Sequence, residues 1–135
     1  MTQKDKELLL KDLCARLPYK CKYKASKEIT HWYKLTLNTE TIDKIIDDYY
    51  DEIKPYLRPM DSMTEEERYE IQEILGKDIE IFDDFINIID SSRKRFSFLE
   101  LQALLDWLNA HHFDFRGLIK KGLALEVPEG MYKTE

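Results

Sequence analysis

Glycine is scarce in this chain of 135 residues, which has only four, at positions too far apart to form a glycine-rich loop. The phosphate-binding pattern G-x-x-x-x-G-K-[ST], the dinucleotide fingerprint and the G-x-S-x-G nucleophile elbow are all absent from the sequence. Each of these motifs needs glycine for tight turns or for close approach of the backbone to a phosphate. The sequence therefore excludes the nucleotide-binding and hydrolase classes that these motifs define.

Cysteine and long apolar runs are also scarce. Cys14 and Cys21 lie seven residues apart, which fits neither a C-x-x-C redox or zinc pair nor a disulfide framework, so we expect two reduced thiols. No run approaches the roughly 18 apolar residues of a membrane span, and the opening MTQKDKE is polar where a secretory signal needs an apolar stretch. These features predict a cytoplasmic protein that does not engage a membrane.

Hydrophobic residues make up 43% of the chain and aromatics 12%, enough for one core. We therefore expect a single domain over residues 1–135. Charge is unevenly distributed: residues 1–34 carry nine Lys/Arg against four Asp/Glu, whereas residues 35–90 carry five against seventeen. Complementary solvated surfaces within one domain are one interpretation, and a nucleic-acid contact confined to the basic first quarter is the other.

Three helices are indicated by apolar spacing. Residues 5–17 place leucines four apart, and Pro18 ends this segment. T-E-E-E at 64–67 forms a capping box that begins a helix over 64–75. S-F-L-E at 97–100 forms a second box before a leucine-rich helix over 97–112. The apolar face of this last helix consists of Leu101, Leu104, Leu105 and Leu108.

Strands are indicated by period-two alternation. In YKCKYKA (19–25) the apolar residues alternate with lysines, and HWYKLTL (31–37) is typical of its hairpin partner. LALEV (123–127) predicts a last short strand. Segments 41–53 and 78–90 fit either helix or strand, and 41–53 slightly favours an extended form. KPYLRPMDSM (54–63), with two prolines four apart, predicts a linker or extended turn.

These elements predict an α+β fold. A small antiparallel sheet, open or barrel-like, is expected from residues 19–50, with three to four helices packed around it. Residues 1–60 would supply the first helix and the sheet, and residues 61–135 a mainly helical half that ends in a short strand.

WLNAHHFDFRG (107–117) is the segment with the most chemical potential. His111 and His112 point about 100° apart on a helix, so they cannot chelate one metal as an i, i+4 pair does. We expect both at the rim of the buried face, meeting the last helix carbonyls. Asp114 is expected to accept amides of the next turn and to face solvent between Phe113 and Phe115, and Arg116 to pair with a carboxylate.

Three blocks of the sequence resemble a family of small proteins from gut bacteria and their prophages or mobile elements. They read LLLKDLCARLPY (8–19), IKPYLRPMDSMTEEE (53–67) and DWLNAHHFDFRGLIKKGLALEVPEGMY (106–132). Asp61, Phe115 and Val127 depart mildly from the Ser, Tyr and Ala typical of these blocks. The family has no assigned activity or cofactor, so the resemblance implies only a bacterial or prophage accessory protein.

A non-catalytic protein-interaction module is the leading functional hypothesis, with no catalytic residue, cofactor or metal assigned. Its candidate contacts are exposed aromatics and the polar residues of the 107–117 segment: Trp32, Tyr49, Tyr50, Tyr56, His111, His112, Asp114 and Arg116. The partner would be a protein of unknown identity, and the oligomeric state is left open.

Two alternatives remain. Segment 20–34 interleaves lysines with Tyr23, Trp32 and Tyr33, as nucleic-acid-binding surfaces do, although the net charge of −6 argues against it. A metal-dependent hydrolase around His111, His112 and Asp114 would need a further ligand such as His31 or Glu126 brought in by the fold.

Overall fold

The computed structural model describes residues 2–24, 36, 38–39, 42, 53–76, 79–82, 86–88, 97–128 and 130–132. These residues contain three α-helices, α1 (Gln3–Arg16), α2 (Glu65–Leu75) and α3 (Phe98–Ala110). Their five short strands are β1 (Tyr23–Lys24), β2 (Lys54–Leu57), β3 (Ile79–Ile81), β4 (Ile86–Ile88) and β5 (Leu125–Glu126). The α+β prediction is confirmed.

A capping box begins each helix. Thr64 with Glu67 and Ser97 with Glu100 form the two predicted boxes, in which the hydroxyl accepts from the third helical amide and the glutamate accepts from the cap amide. Thr2 and Asp5 form a third box that the sequence reasoning missed, so α1 begins at Gln3 and not at residue 5. It ends at Arg16, and Pro18 lies in a 3-10 turn that follows (Leu17–Tyr19).

The main sheet has the strand order β1-β2-β5 and is mixed. β1 pairs antiparallel with β2, which puts Tyr23 opposite Pro55, whereas β5 pairs parallel with β2 and puts Leu125 opposite Tyr56. The sheet is not closed into a barrel among the described strands. Its central strand is β2, within the segment that the sequence analysis predicted to be a linker, and that prediction is wrong.

Pro55 is tolerated in the central strand because of its register. The Tyr56 amide donates to the Lys22 carbonyl (2.8 Å), so the next pair, Tyr23 with Pro55, is a non-hydrogen-bonded pair of the antiparallel ladder. The Pro55 nitrogen therefore faces away from β1, and the β5 ladder begins only at Tyr56. No ladder hydrogen bond is lost at the proline.

The two ambiguous segments have different outcomes. Within 78–90, β3 and β4 form a separate antiparallel pair with Glu80 opposite Asn87. Within 41–53, the described residues are Ile42, whose amide donates to the Asn38 carbonyl as in a helical turn, and the buried Ile53. The predicted hairpin over 31–37 is seen at Thr36, which bridges antiparallel to Lys22, and its other residues lie outside the described part.

Among the described residues, the buried apolar side chains form two clusters. The first packs α1 against the main sheet and contains Leu9, Leu13, Cys21, Tyr23, Ile53, Leu57, Leu118, Leu123 and Ala124. The second packs α2 against α3 and contains Met60, Ile71, Leu75, Ile79, Leu104, Leu108 and Phe113. Phe113 belongs to one cluster and Leu118 to the other, so the chain between them passes from one core to the other. This passage carries the residues that the sequence analysis singled out.

Candidate interaction sites

The chain leaves α3 through a left-handed residue. His112 has φ 64°, a conformation that costs a non-glycine residue energy and that reverses the chain direction. The turn lets Phe113 pair with Arg58 just beyond β2: the Arg58 amide donates to the His112 carbonyl (2.7 Å), and the Asp114 amide donates to the Arg58 carbonyl (2.8 Å). Two backbone hydrogen bonds therefore fix the start of the 113–119 passage.

Asp114 organises the rest of this passage. Its two carboxylate oxygens accept the amides of Leu118 (2.8 Å) and Ile119 (2.9 Å), which confirms the predicted amide contacts. The prediction that Asp114 faces solvent is wrong, since it is only 7% exposed and Phe113 beside it is fully buried. Strand-like alternation does not apply here, because the chain turns at Asp114 and both residues enter the interior.

Beneath this passage lies a buried ionic cluster. Asp12 is fully buried and binds two guanidinium groups, that of Arg16 through Oδ2 (2.8 Å) and that of Arg116 through Oδ1 (2.7 Å). Arg116 also donates to the Asn109 side-chain oxygen (3.3 Å) and lies 4.2 Å from the centre of the Phe115 ring. The expected carboxylate partner of Arg116 is therefore confirmed.

The sequence reasoning missed Asp12 and Arg16. They lie at i+3 and i+7 from Leu9, on the same helical face as Leu13, so a charged pair at spacing four stands within an apolar stripe. The position of this charged pair within an apolar face was the sequence signal that could have identified the buried ionic cluster. Charged residues on a buried helix face need partners from elsewhere in the fold, because an unpaired buried charge is costly.

Two buried nitrogens of this region have no hydrogen-bond partner among the described residues, Arg16 Nη1 and His112 Nδ1. Arg16 Nη2 donates to the Phe113 carbonyl oxygen, which places the guanidinium group next to residue 112. Burial, followed by the positive charge of Arg16, lowers the pKa of His112 from 6.5 to about 3. His112 is therefore a neutral, buried histidine at neutral pH and not the rim residue that the sequence predicted.

The Tyr132 side chain bridges two neighbouring strand segments of the main sheet. Lys22 and Tyr56 are opposite each other, and the missing second hydrogen bond of this pair is replaced by the Tyr132 hydroxyl. That hydroxyl accepts from the Lys22 amide (2.7 Å) and donates to the Tyr56 carbonyl (2.9 Å). The Tyr132 ring stacks on His112 with ring centres 3.8 Å apart. A side chain from the C-terminal segment thus becomes part of the β1–β2 ladder.

Cys21 lies beside this hydroxyl, with its Sγ 3.6 Å from the Tyr132 oxygen. Burial raises the pKa of the Cys21 thiol to about 11, despite the opposing effect of Arg16. A thiol that stays protonated is a poor nucleophile, so Cys21 has a packing role here. Cys14 is exposed, and both cysteines are free thiols, as predicted.

His111 finishes α3 as predicted. Its Nδ1 is 2.9 Å from the Trp107 carbonyl oxygen, which can only accept, so Nδ1 carries the proton. Its ring stacks on the Trp107 ring at 3.9 Å, and the Trp107 indole nitrogen donates to Glu70 on α2 (3.0 Å). The end of α3 is therefore fastened to α2 through one histidine and one tryptophan.

Arg58 forms a second ion pair close to this region. Its two terminal nitrogens each donate to one oxygen of Glu67 at 2.7 Å, and its guanidinium carbon lies 4.1 Å from the centre of the Phe113 ring. Burial alone would raise the pKa of Glu67, but hydrogen bonds from Arg58 and Thr64 outweigh burial and lower that pKa below its ordinary value. The pair couples β2 to the beginning of α2.

The expected aromatic contacts are only partly visible. Tyr56 is 3% exposed, so the prediction that it is an exposed aromatic is wrong, because β2 is central in the sheet. Trp32, Tyr49 and Tyr50 lie outside the described residues. For the nucleic-acid hypothesis, Tyr23 is buried and cannot stack on a base from that position, while Trp32 and Tyr33 lie outside the described residues as well.

The most exposed large apolar side chains of the described residues lie at the start of α3. Phe98 is 93% exposed and Leu99 is 83% exposed, and Leu101 shortly after them is 42% exposed. Leu101 was predicted to lie on the inner face, which Leu104 and Leu108 do occupy. We call Phe98, Leu99 and Leu101 the α3 apolar surface.

One cleft is lined by residues of the 113–119 passage, and another lies beside His111 at the end of α3. The larger, about 540 Å³, is lined among others by Met60, Asp61, Phe115, Arg116, Ile119 and Lys121, and we call it the Arg116 cleft. The smaller, about 360 Å³, is lined by Glu66, Glu70 and His111 together with the Arg58–Glu67 pair and Tyr132. Both volumes fall within the usual range of small-molecule sites, about 300–1,000 Å³.

Metal ligands do not converge in the described part of the chain, where no group of three His, Cys, Asp or Glu side chains is placed to hold an ion. Asp114 cannot supply one readily, since both its oxygens accept backbone amides. Nor, over the same residues, is any helix long and apolar enough to cross a bilayer. Comparison of the chain with protein-family models, with curated proteins and with solved structures finds no match.

Proposed function

We propose that this chain is a non-catalytic accessory protein of bacterial or prophage origin that binds a protein partner through the α3 apolar surface. The exposure of Phe98 and Leu99 carries the proposal. Isolated exposed apolar residues are common, but contiguous apolar patches mark interaction sites. Phe98 and Leu101 lie three residues apart and are neighbours on the helix surface, and Leu99 is next to Phe98 in the sequence. The resemblance of the three sequence blocks supports the origin.

The surface is well suited to binding because it is already ordered. Ser97 and Glu100 cap α3 reciprocally, with hydrogen bonds of 3.0 and 3.1 Å, at the helix start that carries the three apolar side chains. Leu104 and Leu108 anchor the same helix in the second core cluster. A partner that covers this surface therefore does not have to order the helix, which lowers the entropic cost of association.

A photo-crosslinking amino acid at position 99 tests the proposal, with crosslinked proteins from a bacterial lysate identified and quantified by mass spectrometry. We expect one dominant partner. In the double variant Phe98→Ser/Leu99→Ser the crosslinker is moved to position 102, because position 99 is itself changed. Capture of the partner from position 102 should fall at least about ten-fold in this variant, since interface anchors carry most of the binding energy. Tyr69→Ser is the matched control, because Tyr69 is a 55% exposed aromatic on α2.

Both variants change exposed side chains, so their midpoint temperatures of thermal unfolding should be close to that of the unchanged protein. Capture that is unaffected by the double variant, or lost equally in Tyr69→Ser, contradicts the proposal. Recovery of no partner from a protein that stays monomeric in sedimentation contradicts it as well. Self-association that the double variant abolishes identifies a second copy as the partner.

A further inference from the structure

The Arg116 cleft combines an apolar interior with a fixed cation. Met60 and Ile119 line it together with Pro59 and the Phe115 ring, which provides a hydrocarbon surface of several side chains. Arg116 lines the same cleft, and so do Lys120 and Lys121. Ligand sites of this kind are mostly apolar and use a few positioned polar groups to set specificity and orientation.

Arg116 is held in one position before any ligand arrives. Its Nη1 donates to Asp12 (2.7 Å) and to Asn109 (3.3 Å), and its guanidinium group lies on the Phe115 ring. All three contacts come from buried or half-buried residues. A guanidinium group fixed in this way presents its planar fork with little loss of side-chain entropy on binding.

Two guanidinium groups behind the cleft share a single carboxylate partner. Asp12 is one carboxylate shared by Arg16 and Arg116, and a second buried carboxylate nearby, Asp114, uses both oxygens for backbone amides. One guanidinium nitrogen of Arg16, a fully buried residue, has no hydrogen-bond partner among the described residues. An anion in the cleft would give Arg116 a partner that it does not have to share with Arg16.

We propose that the Arg116 cleft binds a small organic carboxylate with an apolar body. The carboxylate meets the Nε–Nη2 edge of Arg116, because Nη1 already donates to Asp12 and Asn109. This edge matches two carboxylate oxygens, and the hydrocarbon part of the ligand lies on Met60 and Ile119. Asp61, Asp114 and Glu126 also line the cleft and repel anions. They disfavour a dianion such as phosphate more than a monoanion, and phosphate would leave the apolar interior unfilled.

This site is separate from the α3 apolar surface. Phe98 begins α3, whereas Arg116 in the cleft contacts Asn109 in the last turn of the same helix. These two helix positions are about 16 Å apart along the axis. The ligand and the protein partner are therefore assigned to opposite ends of this helix. The two proposals can fail independently of each other.

Titration with octanoate, followed by two-dimensional NMR of the full chain, tests the inference. We expect saturable shifts at the amides of Gly117 and Ile119 with a Kd on the order of 1 mM, as suits a ligand of this size. Octanol, octylammonium and inorganic phosphate, each lacking either the carboxylate or the apolar body, should bind at least about ten-fold more weakly.

Variants at the exposed positions Asp61 and Lys121 make the test independent of folding. Asp61→Asn removes a repelling carboxylate and should tighten octanoate binding about two- to five-fold, whereas Lys121→Gln should weaken it by a similar factor. Glu73→Gln on α2 is the matched control, since it changes the net charge as Asp61→Asn does but lies outside the cleft lining. Arg116→Lys keeps the charge without the fork and should weaken binding about ten-fold.

Three results would overturn the inference. One is the absence of saturable shifts with octanoate at concentrations well above the expected Kd. Another is octanol or octylammonium binding as tightly as octanoate, since the carboxylate would then have no role. The third is an equal gain in octanoate affinity in Asp61→Asn and Glu73→Gln, since the gain would then come from the net charge of the protein and not from the cleft.

Discussion

Acid should destabilise this protein through His112. The pKa of His112 in the folded protein, about 3, lies below the ordinary histidine value of 6.5, so between these two pH values the unfolded chain binds a proton that the folded chain excludes. The free energy of unfolding is therefore highest above pH 6.5 and falls as the pH falls towards 3. From pH 7 to pH 5 the loss from this one residue amounts to about 2 kcal/mol, since a ten-fold change in proton affinity is worth about 1.4 kcal/mol.

Urea denaturation at pH 7 and pH 5 measures this loss, and His112→Asn isolates it. Asparagine tolerates the left-handed backbone at position 112 and does not titrate. The variant loses the stack on Tyr132 and should be less stable at pH 7, but its stability should change about 2 kcal/mol less between the two pH values. Glu67, whose pKa is lowered from 4.5, adds its own loss only at more acidic pH.

His111→Asn is the matched control, because His111 is the adjacent histidine and is only half-buried. It should keep the pH dependence of the unchanged protein. The reasoning is refuted if His112→Asn and the unchanged protein lose equal stability between pH 7 and pH 5. It is equally refuted if His111→Asn, and not His112→Asn, removes the dependence.

Three further predictions concern stability and are checked by chemical denaturation at pH 7. Leu104→Ala and Leu108→Ala should each cost about 2–5 kcal/mol through cavities in the second cluster, and Ser97→Ala only about 1 kcal/mol through a lost cap; the reverse order would contradict the packing of α3. Asp12→Ala should cost about 3–5 kcal/mol, because it leaves two guanidinium groups without their shared carboxylate, and a cost below about 1 kcal/mol would contradict the ionic cluster. Tyr132→Phe should cost about 1–3 kcal/mol and speed hydrogen exchange at the Lys22 amide that the hydroxyl serves, while unchanged exchange would argue against the inserted hydroxyl.

The sequence predicted those features that depend on contacts between residues close together in the chain. The capping boxes at Thr64 and Ser97 fix helix starts within three residues, and the amides that Asp114 accepts are four and five residues away. Both were predictable because they need no distant partner. The location of β2 was not, since Pro55 is a breaker by itself and becomes acceptable only in a register set by β1 and β5.

The sequence analysis also did not predict which polar residues are buried. His112 was placed at a helix rim by counting apolar positions, yet a left-handed turn and the Tyr132 ring, twenty residues later, enclose it. Arg16 and Arg116 share Asp12, although Asp12 and Arg116 are 104 residues apart in the sequence. Periodicity describes one helix at a time and contains no information on such pairings.

The Tyr132 hydroxyl has a kinetic consequence. Its hydrogen bonds to Lys22 and Tyr56 span sequence separations of 110 and 76 residues. The pairing of β5 with β2 has a sequence separation nearly as large as the second of these. Contacts of such high sequence separation require large loops to close before they contribute energy, and this slows folding. We therefore expect the helices to form early and the sheet to complete late, with refolding in roughly milliseconds to seconds, as for sheet-dominated domains, despite three α-helices.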